Sequence, residues 1–110
     1  IRFPDTLTEI GDGAFKGCSG LTEIRLPGSI ESLGAEAFSG CTDLRLVAMR
    51  SVTQFQCYYD GEFLCFKGCT SLAAVFAPAE VASRFPADMF EGCGTEPSTL
   101  LASATPKLQM

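Results

Sequence analysis

The sequence predicts a repeat solenoid: parallel strands form a sheet on one face, and short helical or 3₁₀ turns line the other. Three observations predict it. Phe-x-Gly-Cys is written four times in 110 residues, at Phe15–Cys18, Phe38–Cys41, Phe66–Cys69 and Phe90–Cys93. Residues 1–23 and 24–46 align without a gap, matching Ile1 to Ile24, Pro4 to Pro27, Ile10 to Leu33, Gly11 to Gly34, Phe15 to Phe38 and Leu21 to Leu44. Finally, a unit this short cannot bury its apolar side alone, so its copies must stack on one another.

The strand of each unit is expected at Leu21–Pro27 and its equivalents. Leu21, Ile24 and Leu26 should turn inward while Glu23 and Arg25 face out, because alternate side chains of an extended segment point to opposite sides. The prolines that close these segments (Pro4, Pro27, Pro78 and Pro106) lack an N–H, which suits a strand's edge. Gly11-Asp12-Gly13-Ala14-Phe15 is the return path, short and glycine-containing, which favours a tight turn over a full helix. Phe15, Phe38, Phe66 and Phe90 should then stack as an interior column.

The boundaries follow from the spacing. Units fall at about 1–23, 24–46, 47–74 and 75–93, with an irregular tail over 94–110 in which Leu100 to Pro106 repeats the Leu21 to Pro27 spacing as a poor fifth strand. The third unit stretches, since Phe38 to Phe66 is 28 residues and Phe66 to Phe90 is 24. Residues 51–65 hold the excess, and Tyr59-Asp60-Gly61-Glu62 reads as a turn because Asp-Gly tolerates positive φ. A bulged loop or small hairpin should project there from the return side. In the fourth unit Val81–Pro86 replaces the usual Ile-Gly.

The pattern Leu-x-x-Ile-x-Leu-Pro at Leu21–Pro27, followed by Leu-Gly-x-x-Ala-Phe-x-Gly-Cys at Leu33–Cys41, resembles the BspA-like leucine-rich repeat. The resemblance covers residues 1 to 93 and is weakest over 51–65, and a 23-residue unit is inside the length range of leucine-rich repeats. It implies a scaffold for interactions rather than a chemistry. It also implies a cell-surface or secreted setting, since many members of the family are so placed, while unpaired cysteines would equally suit a reducing cytosol.

Composition narrows the function classes. With 46% hydrophobic and 19% charged residues this is a folding chain, and its net charge of −5 lacks the basic stripe that nucleic acid requires. No apolar run approaches the roughly 20 residues of a membrane span. Ile1 already occupies a repeat position without a polar cap, so the chain reads as a fragment with flanking repeats. The absence of histidine removes Ser-His-Asp and Cys-His nucleophilic machinery and histidine-based zinc hydrolysis. No catalytic, cofactor-binding or metal-binding residues are assigned. Gly11–Gly17 is not a phosphate loop, because the third glycine of Gly-x-Gly-x-x-Gly falls on Lys16. Asp60 and Glu62 read as a solvated turn rather than a glycosidase pair.

Cys18, Cys41, Cys69 and Cys93 share one repeat position and read as a ladder of small buried thiols. Cys57 and Cys65 flank the turn, which leaves a disulfide between them open, although a two-residue Asp-Gly hairpin sets Cys57 opposite Leu64. A zinc site from Cys57, Cys65 and Cys69 lacks the paired short spacings of zinc folds. The outward strand positions pass from Glu23 and Arg25 through Leu46 and Ala48 to Ala74 and Phe76, that is, from charged to apolar. An apolar patch rimmed by charge marks a protein contact, so Arg25, Leu46, Ala48, Ala74 and Phe76 are the expected partner-binding residues. The other reading of Phe76 is that the C-terminal tail or a neighbouring segment covers it. The expected function is non-enzymatic protein binding through the sheet face, the alternative being a structural spacer in a larger repeat array.

Overall fold

A computed structural model describes residues 3–93 and the backbone of 98–101. The elements run β1 (Glu9–Ile10), β2 (Glu23–Arg25), β3 (Ser32–Leu33), β4 (Leu46–Ala48), β5 (Gln54–Phe55), β6 (Ala74–Ala77), α1 (Ala79–Ala82) and β7 (Ser98–Leu101). They form two parallel sheets, a wide one of order β2-β4-β6-β7 and a narrow one of order β1-β3-β5.

The wide sheet carries the repeat. Ile24 pairs with Val47, Val47 with Val75 and Val75 with Thr99, in steps of 23, 28 and 24 residues that match the spacing of the four Phe residues. Ile24, Leu26, Val47, Met49, Val75 and Ala77 are buried, whereas Glu23 and Arg25 are exposed. The fifth strand differs from the one expected at 100–106. It lies at Ser98–Leu101, four residues earlier in register, because the strand step follows the 24-residue Phe spacing and not the recurrence of leucine. The expected C-terminal end of that strand lies outside the described residues.

The narrow sheet was not expected. Glu9 and Ile10 pair with Ser32 and Leu33, which pair in turn with Gln54 and Phe55. Two-residue strands give too short an alternation to be read from pattern, yet Ile10 and Leu33 are buried and Phe55 packs against the same core. Leu33 to Phe55 is a step of 22 residues, so the excess of the third unit lies after β5, between Phe55 and Phe66. In the fourth unit the place of the narrow strand is taken by α1, entered at Pro78 and burying Val81. Phe85 follows it and meets Phe55 edge-on at 5.8 Å.

Between the sheets the return segments are tight turns closed by bonds to the residue three back. Ala14 N–H donates to Gly11 C=O (3.2 Å), Lys16 N–H to Gly13 C=O (3.1 Å) and Cys18 N–H to Phe15 C=O (3.1 Å), with the same pattern in later units. Each turn ends on a glycine in left-handed backbone, Gly17, Gly40, Gly68 and Gly92, at φ of 75°, 75°, 73° and 76°. A side chain there would be strained. The aromatic column forms as expected. Phe15 stacks on Phe38 at 5.3 Å and 3°, Phe38 on Phe66 at 5.6 Å and 5°, and Phe66 on Phe90 at 5.9 Å and 16°.

Candidate protein-binding face

Parallel pairing puts the five predicted contact residues in two adjoining rows. Arg25, Ala48 and Phe76 are register partners, and so are Glu23, Leu46 and Ala74. At the β2 edge Arg25 and Glu23 are exposed and bonded to each other at 2.9 Å. Leu46, Ala74 and Phe76 are each half-buried. Ala48 corrects the expectation: it is fully buried. Its methyl lies between the long side chains of Arg25 and Phe76, strands about 4.8 Å apart, and so has no surface to offer. Phe76 is not the freely exposed ring first read. Strand β7 runs beside it, with Leu100 as its backbone partner, so the reading in which a following segment flanks Phe76 holds in part.

The inserted loop on the narrow-sheet side is a tight turn. Tyr58 N–H donates to Glu62 C=O and Gly61 N–H to Tyr58 C=O, both at 2.8 Å, while Asp60 Oδ1 accepts Glu62 N–H at 3.0 Å. Gly61 supplies φ of 87°, as Asp-Gly predicts. The carboxylate of Asp60 is thus spent on the turn, and its charge raises the Glu62 carboxyl above its ordinary range. Tyr59 at the tip is fully exposed.

What sequence reasoning missed is the tether of this loop. Tyr58 Oη donates to Glu36 Oε1 at 3.1 Å, and Lys16 Nζ meets Glu36 Oε2 at 3.3 Å. Desolvation pushes the Glu36 carboxyl up, but the Tyr58 hydroxyl and Lys16 outweigh it and hold it below its ordinary value. Glu36 also sits at φ of 56°, where the equivalent residue of the first unit is Gly13 at 63°. That glycine was the available signal: Gly13, Glu36 and Leu64 of the first three units share left-handed backbone at this position, and the glutamate occupying it has a compensating set of contacts.

The cysteines divide as the repeat position dictates, with an added role. Cys41, Cys69 and Cys93 are buried, and each thiol donates to the Phe carbonyl of the unit before it, Cys41 to Phe15 (3.3 Å), Cys69 to Phe38 (3.1 Å) and Cys93 to Phe66 (3.1 Å). Burial pushes the Cys69 thiol up to about 12 and raises Cys41, Cys65 and Cys93 as well, which keeps them neutral donors. The Cys57–Cys65 disulfide is not formed: Cys57 is exposed on the loop and Cys65 is buried in the column of Ala37 and Met89. The loop closes through Tyr58 and Glu62 and not as the expected two-residue hairpin, so the register that would set Cys57 opposite Leu64 is not formed. Cys57, Cys65 and Cys69 do not converge, and no group of three metal-ligating residues does so among the described residues. Among those residues no helix is long and apolar enough to cross a membrane.

The family model for the BspA type leucine rich repeat region matches residues 1–106, in six copies. Neither the curated proteins nor the solved structures give a match.

Proposed function

The chain belongs to the BspA-type leucine-rich repeat family, whose repeats generally mediate protein–protein interaction and are typically non-enzymatic, and from that premise we propose a protein-binding module whose repeats stack as a solenoid and whose wide-sheet face receives the partner. The observation that carries the reading is the gradient across that face. Exposed Arg25 and Glu23 stand at one edge, and half-buried Leu46, Ala74 and Phe76 continue the same rows. An apolar centre with a charged rim is the ordinary anatomy of a protein interface. Arg25 and Phe76 are its anchors, since Arg and aromatic residues supply most interface energy. Leu46 and Ala74 fill the space between, and Ala48 supports them from within.

The test uses the whole chain as bait in three forms: wild type, Phe76→Asp, and Thr53→Asp, whose site is exposed beside the narrow sheet. The expected partner is one that wild type and Thr53→Asp retain and Phe76→Asp loses, with circular dichroism showing all three folded. A partner that survives Phe76→Asp and is lost from Thr53→Asp moves the binding site to the other sheet and ends this reading.

A further inference from the structure

The two sheets carry opposite charge. In the wide-sheet segments 21–27, 44–50 and 72–78 the charged residues are Arg25, Arg45, Arg50 and Glu23, with no lysine or aspartate. In the narrow-sheet segments 7–12, 30–35 and 52–57 they are Glu9, Asp12 and Glu31, with no cation at all. A chain whose net charge is −5 thus collects arginine along the one sheet that the proposed function assigns to a partner.

All three arginines are exposed, but they are not equivalent. The Arg25 guanidinium already bonds Glu23 Oε2 at 2.9 Å. Arg45 and Arg50 have no carboxylate within ion-pair distance among the described residues. They stand at the two ends of β4, Arg45 just before Leu46 and Arg50 just after Met49. Five positions of extended chain separate them by about 16 Å. Between them lies Leu46, with Ala74 and Phe76 on the neighbouring strand β6, all three half-buried. The centre of the face therefore presents a cation, an apolar stretch and a second cation in that order.

We propose that the partner is an acidic segment of protein laid extended along β4, a choice that rests on the wide-sheet reading. Carboxylates near its two ends meet Arg45 and Arg50, and its apolar middle covers Leu46, Ala74 and Phe76. The planar guanidinium fork matches the two oxygens of a carboxylate, which favours a bidentate contact at each end. Nucleic acid fits less well, because it requires a continuous basic track and not two cations flanking an apolar floor. Exposed ion pairs add little affinity. Their effect is selection: an acidic segment is drawn to both ends of β4, and a basic one is repelled at both.

Amide NMR titration of the whole isotope-labelled chain reads binding even at millimolar affinity, and each spectrum shows whether the chain is folded. The probes are three peptides of the pattern X-X-Leu-Thr-Leu-Thr-X-X, with X as Glu, Gln or Lys. The Glu peptide should shift the amides of 45–50 and 74–77 and bind about tenfold or more tighter than the other two at low salt. Added salt should shrink that advantage. The double variant Arg45→Glu, Arg50→Glu, changed only at exposed positions, should prefer the Lys peptide instead. Three peptides that shift those amides equally overturn the acidic partner and leave the wide-sheet reading standing. A Glu peptide that shifts only the narrow sheet, or shifts nothing, also overturns it, and the Phe76→Asp comparison then decides the wide-sheet reading by itself. A single-stranded oligonucleotide that shifts the same amides as strongly would reassign the face to anions in general and end the proposal.

Discussion

Removing the Phe38 ring is the sharpest probe of the fold. Phe38 is fully buried and has a parallel ring on each face, Phe15 at 5.3 Å and Phe66 at 5.6 Å. Truncating a buried aromatic to alanine costs about 3–5 kcal/mol, the sum of lost transfer energy and the cavity left behind. Phe38 should fall in the upper half of that range, because two stacked pairs are lost and each pair contributes roughly 0.5–1.5 kcal/mol beyond area. Phe15 is half-exposed and has one stacked neighbour, with Phe3 edge-on at 5.7 Å, so Phe15→Ala should cost about half as much as Phe38→Ala. A domain of this size is stable by roughly 5–15 kcal/mol, so Phe38→Ala removes a large share. In urea, at a slope of about 2 kcal/mol/M, the midpoint should fall by about 2 M. A loss under about 1 kcal/mol for Phe38→Ala, or equal losses at Phe15 and Phe38, would refute the continuous column.

Three further outcomes are expected. In native buffer, alkylation followed by mass spectrometry should label Cys57 first and Cys18 next, with Cys41, Cys65, Cys69 and Cys93 labelled only as the chain unfolds; early labelling of Cys69 would contradict its burial. Alkaline pH should destabilise the fold. The Cys69 thiol, ordinarily ionising near 9.0, is pushed up to about 12 by burial, so its neutral form stabilises the native state below pH 9 and that contribution is lost as pH rises toward 12. Denaturant midpoints at pH 8 and pH 10.5 should differ in wild type and differ less in Cys69→Ala, and equal shifts in the two would remove Cys69 from the effect. At Glu36, whose φ is 56°, glycine should be more stable than alanine by about 1 kcal/mol, since both lose the Lys16 and Tyr58 contacts and only alanine keeps the backbone strain. Thermal melts that rank alanine equal or higher would show that the strain is absent.

The candidate face was legible where alternation alone decides direction. Arg25, Leu46, Ala74 and Phe76 fall on the outward rows because a strand's period is two and parallel units repeat in register. Ala48 was misjudged for a reason that no pattern contains: pointing outward is a property of the strand, but exposure depends on the size of the neighbours in the same row. The Cys57–Cys65 pairing was likewise open from spacing and closed by environment, one thiol in solvent and one in the core. The thiol ladder was recognised as a buried column from the fourfold recurrence, yet its hydrogen bonds to the Phe carbonyls needed coordinates, since a bond between units depends on how the turns are stacked.

The sequence by itself determined the family, the 23-residue period, the Phe and Cys columns and the inward rows of the wide sheet, because a repeat states each of these constraints four times. Tertiary structure alone decided three things. It built the narrow sheet from strands of two residues, too short to leave an alternation. It put the fifth strand at Ser98–Leu101, where the 24-residue step carries the backbone regardless of which side chains arrive there. And it tied the inserted loop to the body through Tyr58, Glu36 and Lys16. Residues 22 and 20 positions apart in sequence meet there because parallel stacking brings successive turns side by side, a proximity fixed by the pitch of the stack and by no local preference of the residues themselves.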